Sequence, residues 1–333
     1  MVAAICLGGA LAPLSMADAQ GTRDFVTIVG PRSVYPFVSA VIDRFGTVSR
    51  FKFPSSETTD TDAGLKLICA GDGIELPDVA LATRPLQNQE KARCLRTGAG
   101  DLIELKLGFD AVVLASAAAG PVFRLTPRDV FLAVAAKVPD PTAPAAAGDN
   151  PLAVPPVDNL YRTWDQIDPK LPATPIRVLG PPRTAIARDV FASTILKAGC
   201  RAVPSIAALE EGDPAGFRRA CETVRTDGAF VEVSSEPQDL VERLTADPGT
   251  LAMLTLTMVT EPASGLRAAA LDGIVPSIDT INDGTYTAAR PIFLFVKRAN
   301  VNVVPGLREF VAEFVGLGAA GHDGYLRKSV WSP

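Results

Sequence analysis

The stretch Phe25-Val26-Thr27-Ile28-Val29-Gly30-Pro31-Arg32-Ser33-Val34-Tyr35-Pro36-Phe37 joins a strand pattern to a helix pattern through a sharp turn. Its first five residues predict a buried strand, and Gly30-Pro31 predicts the turn. A strand that turns directly into a helix presents free backbone N–H groups and the positive end of the helix dipole to a ligand. The stretch therefore predicts an anion-binding loop, although an ordinary helix N-cap at Ser33 is the simpler interpretation of this loop alone.

Strand and helix patterns alternate along the rest of the chain, which predicts mostly parallel sheets flanked by helices. The predicted strands are residues 25–29, 79–82, 102–107, 111–115, 176–179, 229–233, 251–256 and 291–297. The predicted helices are residues 35–45, 64–70, 89–96, 125–136, 184–197, 214–221, 237–246 and 305–314. Two such α/β units predict a two-lobed protein whose ligand lies in the cleft between the lobes.

The expected lobes follow from where these patterns change. We expect residues 20–115 and 273–333 to form a discontinuous first lobe and residues 116–272 to form the second. The chain would leave the first lobe near Ser116 and return near Gly273. Residues 139–157 are rich in proline and alanine, which predicts a surface insertion in the second lobe.

Composition excludes several classes of function. The chain has 333 residues, of which 47% are hydrophobic, enough for two domains with cores of their own. A net charge of −5 with no basic stripe argues against a nucleic-acid partner. The single histidine, His322, and the lack of a C-x-x-C motif leave little material for a metal or redox centre. No nucleophile elbow or P-loop is present, so we expect neither catalysis nor a cofactor, and a hydrolase using a cleft carboxylate ranks last.

Residues 1–19 have the pattern of an export signal. Residues 2–16 are almost all apolar or small, and Ala17-Asp18-Ala19 fits an A-x-A cleavage site. The positively charged start of a secretory signal is lacking, so we expect the natural start to lie upstream or the start codon to be misassigned. A buried helix is the alternative. We expect a periplasmic protein, cleaved after about Ala19.

Cysteine use agrees with an oxidising compartment. Without Cys6, which the cleavage would remove, four cysteines remain. Pairing each cysteine with its nearest neighbour in the sequence joins Cys69 to Cys94 and Cys200 to Cys221, and each pair lies within one lobe. Each bridge would contribute about 3 kcal/mol by the loop-entropy estimate. Free buried cysteines are the alternative.

Five stretches together resemble one known family. They are residues 28–37, 64–71, 77–84, 180–191 and 289–297. In their order and spacing they are similar to the substrate-binding proteins of phosphate ABC transporters, which have the type II periplasmic binding-protein fold. The resemblance implies an α/β protein with two lobes, each a mostly parallel sheet flanked by helices. It implies capture of phosphate or a related oxyanion in the cleft, delivery to an ABC permease, and a monomer unless the protein joins an envelope complex.

The resemblance also implies which residues bind the ligand. Four segments would surround the anion: the first loop, the Thr-rich turn at residues 57–64, the segment after the next strand, and the start of the second-lobe helix. Hydroxyls, backbone amides and arginine supply the donors that a dehydrated oxyanion needs. The residues in question are Ser33, Val34 (through its backbone), Thr59, Thr61, Thr83, Arg84, Arg183 and Arg188.

The sequence departs from the family pattern at two of these segments. The second-lobe helix starts Ala185-Ile186-Ala187-Arg188-Asp189, without the hydroxyls and the glycine of the family. Asp60 and Asp62 stand where glycines are expected, so Arg32 or Arg183 would face them across a closed cleft. One interpretation is a pocket retuned for another polar ligand. The other is a scaffold, sensor or interaction subunit that has lost phosphate binding, and tight phosphate binding comes third.

Overall fold

The computed structural model describes residues 23–140, 156–233, 237–261, 264–321 and 324–326. The expected export signal, most of the Pro/Ala-rich insertion and His322 lie outside these ranges. The strands are β1 Thr27–Pro31, β2 Ser55–Thr59, β3 Val79–Ala82, β4 Leu102–Ala111, β5 Val113–Ala117, β6 Arg124–Leu125, β7 Lys137–Val138, β8 Val157–Asp158, β9 Val178–Gly180, β10 Phe230–Glu232, β11 Leu251–Leu254, β12 Leu266–Ala268, β13 Ala270–Leu271 and β14 Ala289–Lys297. The helices are α1 Tyr35–Val48, α2 Thr61–Ile68, α3 Asn88–Arg96, α4 Pro127–Val134, α5 Ile186–Phe191, α6 Lys197–Arg201, α7 Pro204–Ala207, α8 Leu209–Gly212, α9 Pro214–Glu222, α10 Pro237–Ala246, α11 Leu256–Thr260, α12 Ile278–Asn282, α13 Leu307–Val315 and α14 Leu317–Ala320.

The first lobe is built on a five-stranded sheet with the order β2-β1-β3-β14-β4. Strand β1 lies parallel to β2 and β3, whereas β14 is antiparallel to both of its neighbours. One face of the sheet packs against α1 and α13 through residues such as Phe45 and Phe310. The other face packs against α2 through Leu65 and Ile68. Both faces are therefore buried, as is usual for parallel strands.

The second lobe has its own five-stranded sheet, with the order β10-β9-β11-β5-β12. Strands β9, β10 and β11 are parallel, and β5 runs antiparallel to β11. A large apolar cluster that includes Phe131, Trp164 and Phe191 covers one face, and Leu240 and Leu244 of α10 cover the other. Two sheets, each with parallel strands between helices, confirm the predicted two-lobed α/β fold class.

The chain crosses between the sheets at other residues than the expected boundaries. The predicted strand 111–115 is β5, which belongs to the second sheet, so the chain leaves the first sheet at Val112. Gly273 marks only a tight turn, with a φ of 80°. Ile281, Tyr286 and Ala288 beyond it still pack in the second-lobe core, and the chain rejoins the first sheet with β14. No turn marks the crossing, because a single residue, Val112, lies between β4 and β5.

The Thr-rich segment 57–64 is a strand and a helix start instead of a turn. Strand β2, with the sequence SSETT, pairs in parallel with β1 at the edge of the sheet. Its side chains are mostly exposed, so it has no apolar pattern that a sequence could reveal. Asp60 then caps α2 by accepting a hydrogen bond from the backbone N–H of Ala63 at 2.7 Å.

The predicted helix 184–197 contains an irregular section. It starts as α5, continues as a π-helical turn over residues Ala192–Leu196, and ends as α6. Such turns are often found at functional sites. This one begins at the end of α5, the helix that contains Arg188 and Asp189.

Both predicted disulfides are present. Cys69, at the end of α2, is bonded to Cys94 of α3, with 4.4 Å between the Cα atoms. Cys200 of α6 is bonded to Cys221 of α9, with 5.4 Å between the Cα atoms. Each bridge joins two helices of the same lobe, so neither restrains the movement of one lobe against the other.

We expect replacement of Cys200 and Cys221 by serine to lower the free energy of unfolding by about 3 kcal/mol, because the unfolded chain loses a loop constraint. A urea titration of both proteins without reductant measures the difference. The Cys69–Cys94 bridge remains in the variant, and adding a reductant should destabilise the variant further. An unchanged urea midpoint in the variant would contradict the prediction.

Candidate functional site

Three neighbouring strands of the first sheet end at the same edge. Pro31 at the end of β1 lies opposite Thr59 at the end of β2, and β3 ends on the other side of β1. The carboxyl ends of parallel strands form a crevice that commonly holds ligands. The segments that contain Ser33, Thr59, Thr61 and Thr83 are thereby brought side by side, as the family resemblance implies.

Ser33 and Val34 lie in a 3₁₀ turn, Arg32–Val34, between β1 and α1. Both side chains are buried, with exposures of 5% and 1%. The predicted capping role of Ser33 is wrong, because the 3₁₀ turn delays the start of α1 and makes Val34 its N-cap residue. The Ser33 hydroxyl makes no hydrogen bond to any residue that the structure describes. It therefore remains free to bind a ligand.

Two threonines meet at this edge, Thr61 at the start of α2 and Thr83 directly after β3. The Oγ1 atoms of Thr61 and Thr83 are 3.1 Å apart, and the backbone N–H of Thr83 donates to Thr61 Oγ1 at 3.3 Å. Gly64 allows α2 to approach, since a Cβ there would lie 3.0 Å from Thr59 Oγ1. Thr59 itself donates its hydroxyl to the carbonyl of Asp60 at 2.9 Å. The half-buried hydroxyls of Thr61 and Thr83 thus form one cluster, and Thr59 lies beside it.

Arg84 is held by two carboxylates of its own lobe. Its Nη1 and Nη2 atoms each donate to one oxygen of Glu90 at 2.8 Å, and Nη2 also donates to Asp62. These hydrogen bonds raise the pKa of Arg84, and the guanidinium in turn lowers the pKa of Glu90. The geometry therefore gives Arg84 a structural role that the sequence did not indicate, and its charge is already balanced.

The two aspartates near the site have local partners. Asp60 caps α2, and Asp62 pairs with Arg84. Neither Arg32 nor Arg183 forms an ion pair with any described residue. The pairing across the cleft that the sequence led us to expect is therefore not formed in this structure.

In the second lobe, Arg188 is buried in the first turn of α5, with an exposure of 6%. Its guanidinium lies 4.3 Å from the centre of the Phe230 ring, and its Nη1 donates to the carbonyl of Pro181 at 3.3 Å. Glu232, at the end of β10, is 3.6 Å from the same nitrogen. Burial lowers the pKa of Arg188, attraction by Glu232 opposes this change, and repulsion by Arg183 adds to it. An anion beside Arg188 would relieve that cost of burial.

The two lobes touch at the candidate site. Helix α5 of the second lobe contacts the turn Arg32–Val34 of the first. Ile186, in the segment that lacks the family's hydroxyls and glycine, packs against the second-lobe core. The structure therefore brings the segments of Ser33, Val34, Thr59, Thr61, Thr83 and Arg188 to one cleft. Arg183 lies exposed on the loop before α5.

A cavity of about 450 Å³ also lies between the lobes. Phe37 of α1, Phe109 of β4, Leu256 of α11 and Ile281 of α12 contribute to its wall. The wall is mainly apolar and includes none of the eight predicted ligand residues. It does not offer the donors that a dehydrated anion needs.

Sequence reasoning missed the role of Arg290. This residue lies in β14 and contacts Asp110 of β4 and Asp189 of α5, which makes it a link between the lobes. The available signal was a charged residue inside an otherwise apolar strand, since an arginine that is buried needs a partner.

Comparisons with known proteins agree with this architecture. A family model described as the PBP superfamily domain matches residues 16–316. Protein SphX of Synechococcus elongatus is 25% identical over 307 residues, which cover 89% of this chain and 75% of SphX. The crystal structure of a possible phosphate binding protein from Planctomyces limnophilus has a TM-score of 0.62 at 21% identity and covers 89% of this chain and 87% of that one. PstS from Borrelia burgdorferi has a TM-score of 0.59 at 14% identity, over 92% and 97% of the two chains. At these identities the two solved structures support the fold alone.

The described residues contain neither a helix that could span a membrane nor a group of side chains that could hold a metal ion. None of their helices combines the length and the apolar character needed to cross a bilayer. Within the same ranges, no three His, Cys, Asp or Glu side chains are grouped so that they could hold a metal ion.

We expect Glu90→Gln to lower the free energy of unfolding by about 1 kcal/mol at pH 7, because Arg84 loses its bidentate partner. The folded-state pKa of Glu90 is lowered, so its stabilisation is present above the ordinary glutamate pKa of about 4.3 and is lost as the pH falls further. Urea titrations at pH 7 and pH 3 should therefore show a smaller difference at pH 3. Glu104→Gln, on the exposed side of β4, is the matched control. Equal losses at the two pH values would contradict the assignment.

Proposed function

The chain belongs to the family described as the PBP superfamily domain, and from this membership we propose that it is a solute-binding protein that captures phosphate or a related oxyanion in the cleft between its lobes. The observation that carries the proposal is the Ser33 hydroxyl. Ser33 as a whole is only 5% exposed, its hydroxyl makes no hydrogen bond to a described residue, and α5 of the other lobe contacts the turn that contains it.

The donors at this edge suit a dehydrated oxyanion. Ser33 and the Thr61–Thr83 pair offer hydroxyls from the first lobe. Arg188 offers a guanidinium from the second, in a buried position where its attraction for an anion is little screened. Hydrogen bonds to charged groups are shorter and stronger than neutral ones, so a few of them can replace the water around an anion.

The second lobe also supports a broader choice of ligand than phosphate alone. Ala185 and Ala187 provide no hydroxyl to the ligand, so fewer donors come from this side of the cleft. Arg183 adds an exposed positive charge close to Arg188. We therefore propose an oxyanion site in which charge replaces part of the hydrogen-bond network.

The remaining part of the proposal concerns the cellular role. The signal-like segment 1–19 and the two disulfides support a periplasmic protein. In that compartment the protein would deliver its ligand to an ABC permease of the inner membrane. SphX of Synechococcus elongatus covers most of this chain, which supports a role for the whole chain and not for one lobe.

The proposal is tested by adding phosphate, arsenate, sulfate or a phosphonate and following thermal unfolding. A ligand at one hundred times its Kd should raise the free energy of unfolding by about 2.7 kcal/mol. We expect Ser33→Ala to weaken binding of the active ligand about tenfold, because one hydrogen bond to a charged group is lost. Isothermal titration calorimetry gives the Kd values.

Ser55→Ala is the matched control, since Ser55 carries an exposed hydroxyl at the opposite end of β2. It should bind the ligand as the parent protein does. Equal affinity of the Ser33→Ala protein would place the site elsewhere. The absence of a shift with every oxyanion would favour the scaffold or sensor interpretation.

A further inference from the structure

The two crossings between the lobes lie side by side. The backbone N–H of Val112 donates to the carbonyl of Ala288 at 3.1 Å. The hydroxyl of Tyr286 donates to the carbonyl of Val112 at 3.0 Å, and this tyrosine is fully buried. Residues 111–113 and 286–289 therefore form a two-stranded hinge, about which the lobes can rotate.

Arg290 is the second residue of β14 and lies next to this hinge. It faces Asp110 in the strand register, and its Nη2 is 3.4 Å from Asp110 Oδ2. Both side chains are buried, with exposures of 9% and 4%. Burial raises the pKa of Asp110, and Arg290 opposes that change. Because both residues belong to the first sheet, this pair does not depend on how the lobes are arranged.

The same guanidinium also reaches the second lobe. Its Nη1 donates to Asp189 Oδ2 at 2.8 Å and to Ser193 Oγ at 3.2 Å. Asp189 lies in α5 next to Arg188, and Ser193 lies in the π-helical turn that follows. The bond from Arg290 therefore holds the helix of Arg188 against the hinge strands.

The environment of Arg290 is not that of a permanent core ion pair. Its Nε atom is buried and has no hydrogen-bond partner among the described residues. The Asp189 side chain is 59% exposed, so water can replace Arg290 as its partner at little cost. If the lobes rotated apart, Arg290 would keep Asp110 and lose Asp189 and Ser193. The charge would never be left without a partner, and the contact is therefore reversible.

We propose that Arg290 is a positioning residue that favours closure of the lobes, and that its bond to Asp189 draws α5 and Arg188 toward Ser33. The effect on affinity rests on the proposed function, whereas the effect on closure does not. A bond that exists only in the closed arrangement shifts the population toward that arrangement. It also slows release of a ligand held between the lobes.

Asp189→Asn removes the negative charge that Arg290 contacts in the second lobe and leaves the buried Arg290–Asp110 pair in place. We expect the ligand-free protein to have a larger radius of gyration in small-angle X-ray scattering. With inorganic phosphate, the Kd should rise about two- to fivefold, mainly through faster dissociation in stopped-flow measurements. Asp158→Asn, which removes an exposed carboxylate paired with Lys137 in the second lobe, should change neither quantity.

A purely structural contact would lower the melting temperature and leave the radius of gyration and the Kd unchanged, and that result would overturn the proposal. The variant Arg290→Gln with Asp110→Asn provides a second test, because it removes the cation without leaving a buried carboxylate alone. Adding Asp189→Asn to it should have no further effect on the radius of gyration, and a further effect would contradict the proposed pair. If the parent protein binds none of the oxyanions tested, the proposed function fails, and scattering from the ligand-free proteins still decides the role of Arg290.

Discussion

The direction of the strands at the hinge is the constraint on which the rest of the structure depends. Strand β4 runs parallel to β1, β2 and β3, so the chain leaves the first lobe at the edge where those strands end. Strand β5 then starts beside the end of β11, at the corresponding edge of the second sheet. The crossing therefore joins the two sheet edges at which strands lead into helices. The loops at both edges face the cleft, so both lobes supply it with donors. A crossing at the opposite edge of either sheet would point the loops of that lobe away from the cleft.

Charge is divided between the lobes in a way that follows from this geometry. In the first lobe the guanidinium of Arg84 lies between two carboxylates, and the hydroxyls of Ser33, Thr61 and Thr83 supply uncharged donors. In the second lobe, Arg188 lies 3.6 Å from the carboxylate of Glu232, and Arg183 adds a second positive charge near it. Arg32 of the first lobe and Arg183 of the second are both exposed and form no ion pair with a described residue. A ligand would be hydrogen-bonded mainly by the first lobe and attracted by cations of both lobes.

The sequence predicted most of what depends on apolar patterning. The buried strands and long helices occur near their predicted positions, because an alternating or helical pattern records which side chains face a core. Strand β2 was missed because its exposed SSETT sequence has no such pattern, and its place depends on pairing with β1. The crossing at Val112 was missed because β5 follows β4 after this single residue, with no turn between them. The prediction that Ser33 caps α1 was wrong. A 3₁₀ turn, which no residue preference required, precedes the helix and makes Val34 its N-cap residue.

At the candidate site, residue type indicated which groups would gather but not how their charges would be paired. Arg84 is 6 residues from Glu90 and 22 from Asp62 in the sequence, and only the structure shows that the two carboxylates bind the same guanidinium. Arg290 and Asp189 are 101 residues apart, and no local pattern could connect them. The ion pairs that the arginines form with carboxylates of the protein therefore determine which arginine is available to bind the ligand. Arg84 has two carboxylates within hydrogen-bonding distance, whereas Arg188 has one at 3.6 Å, and so the guanidinium of Arg188 gains more from an incoming anion.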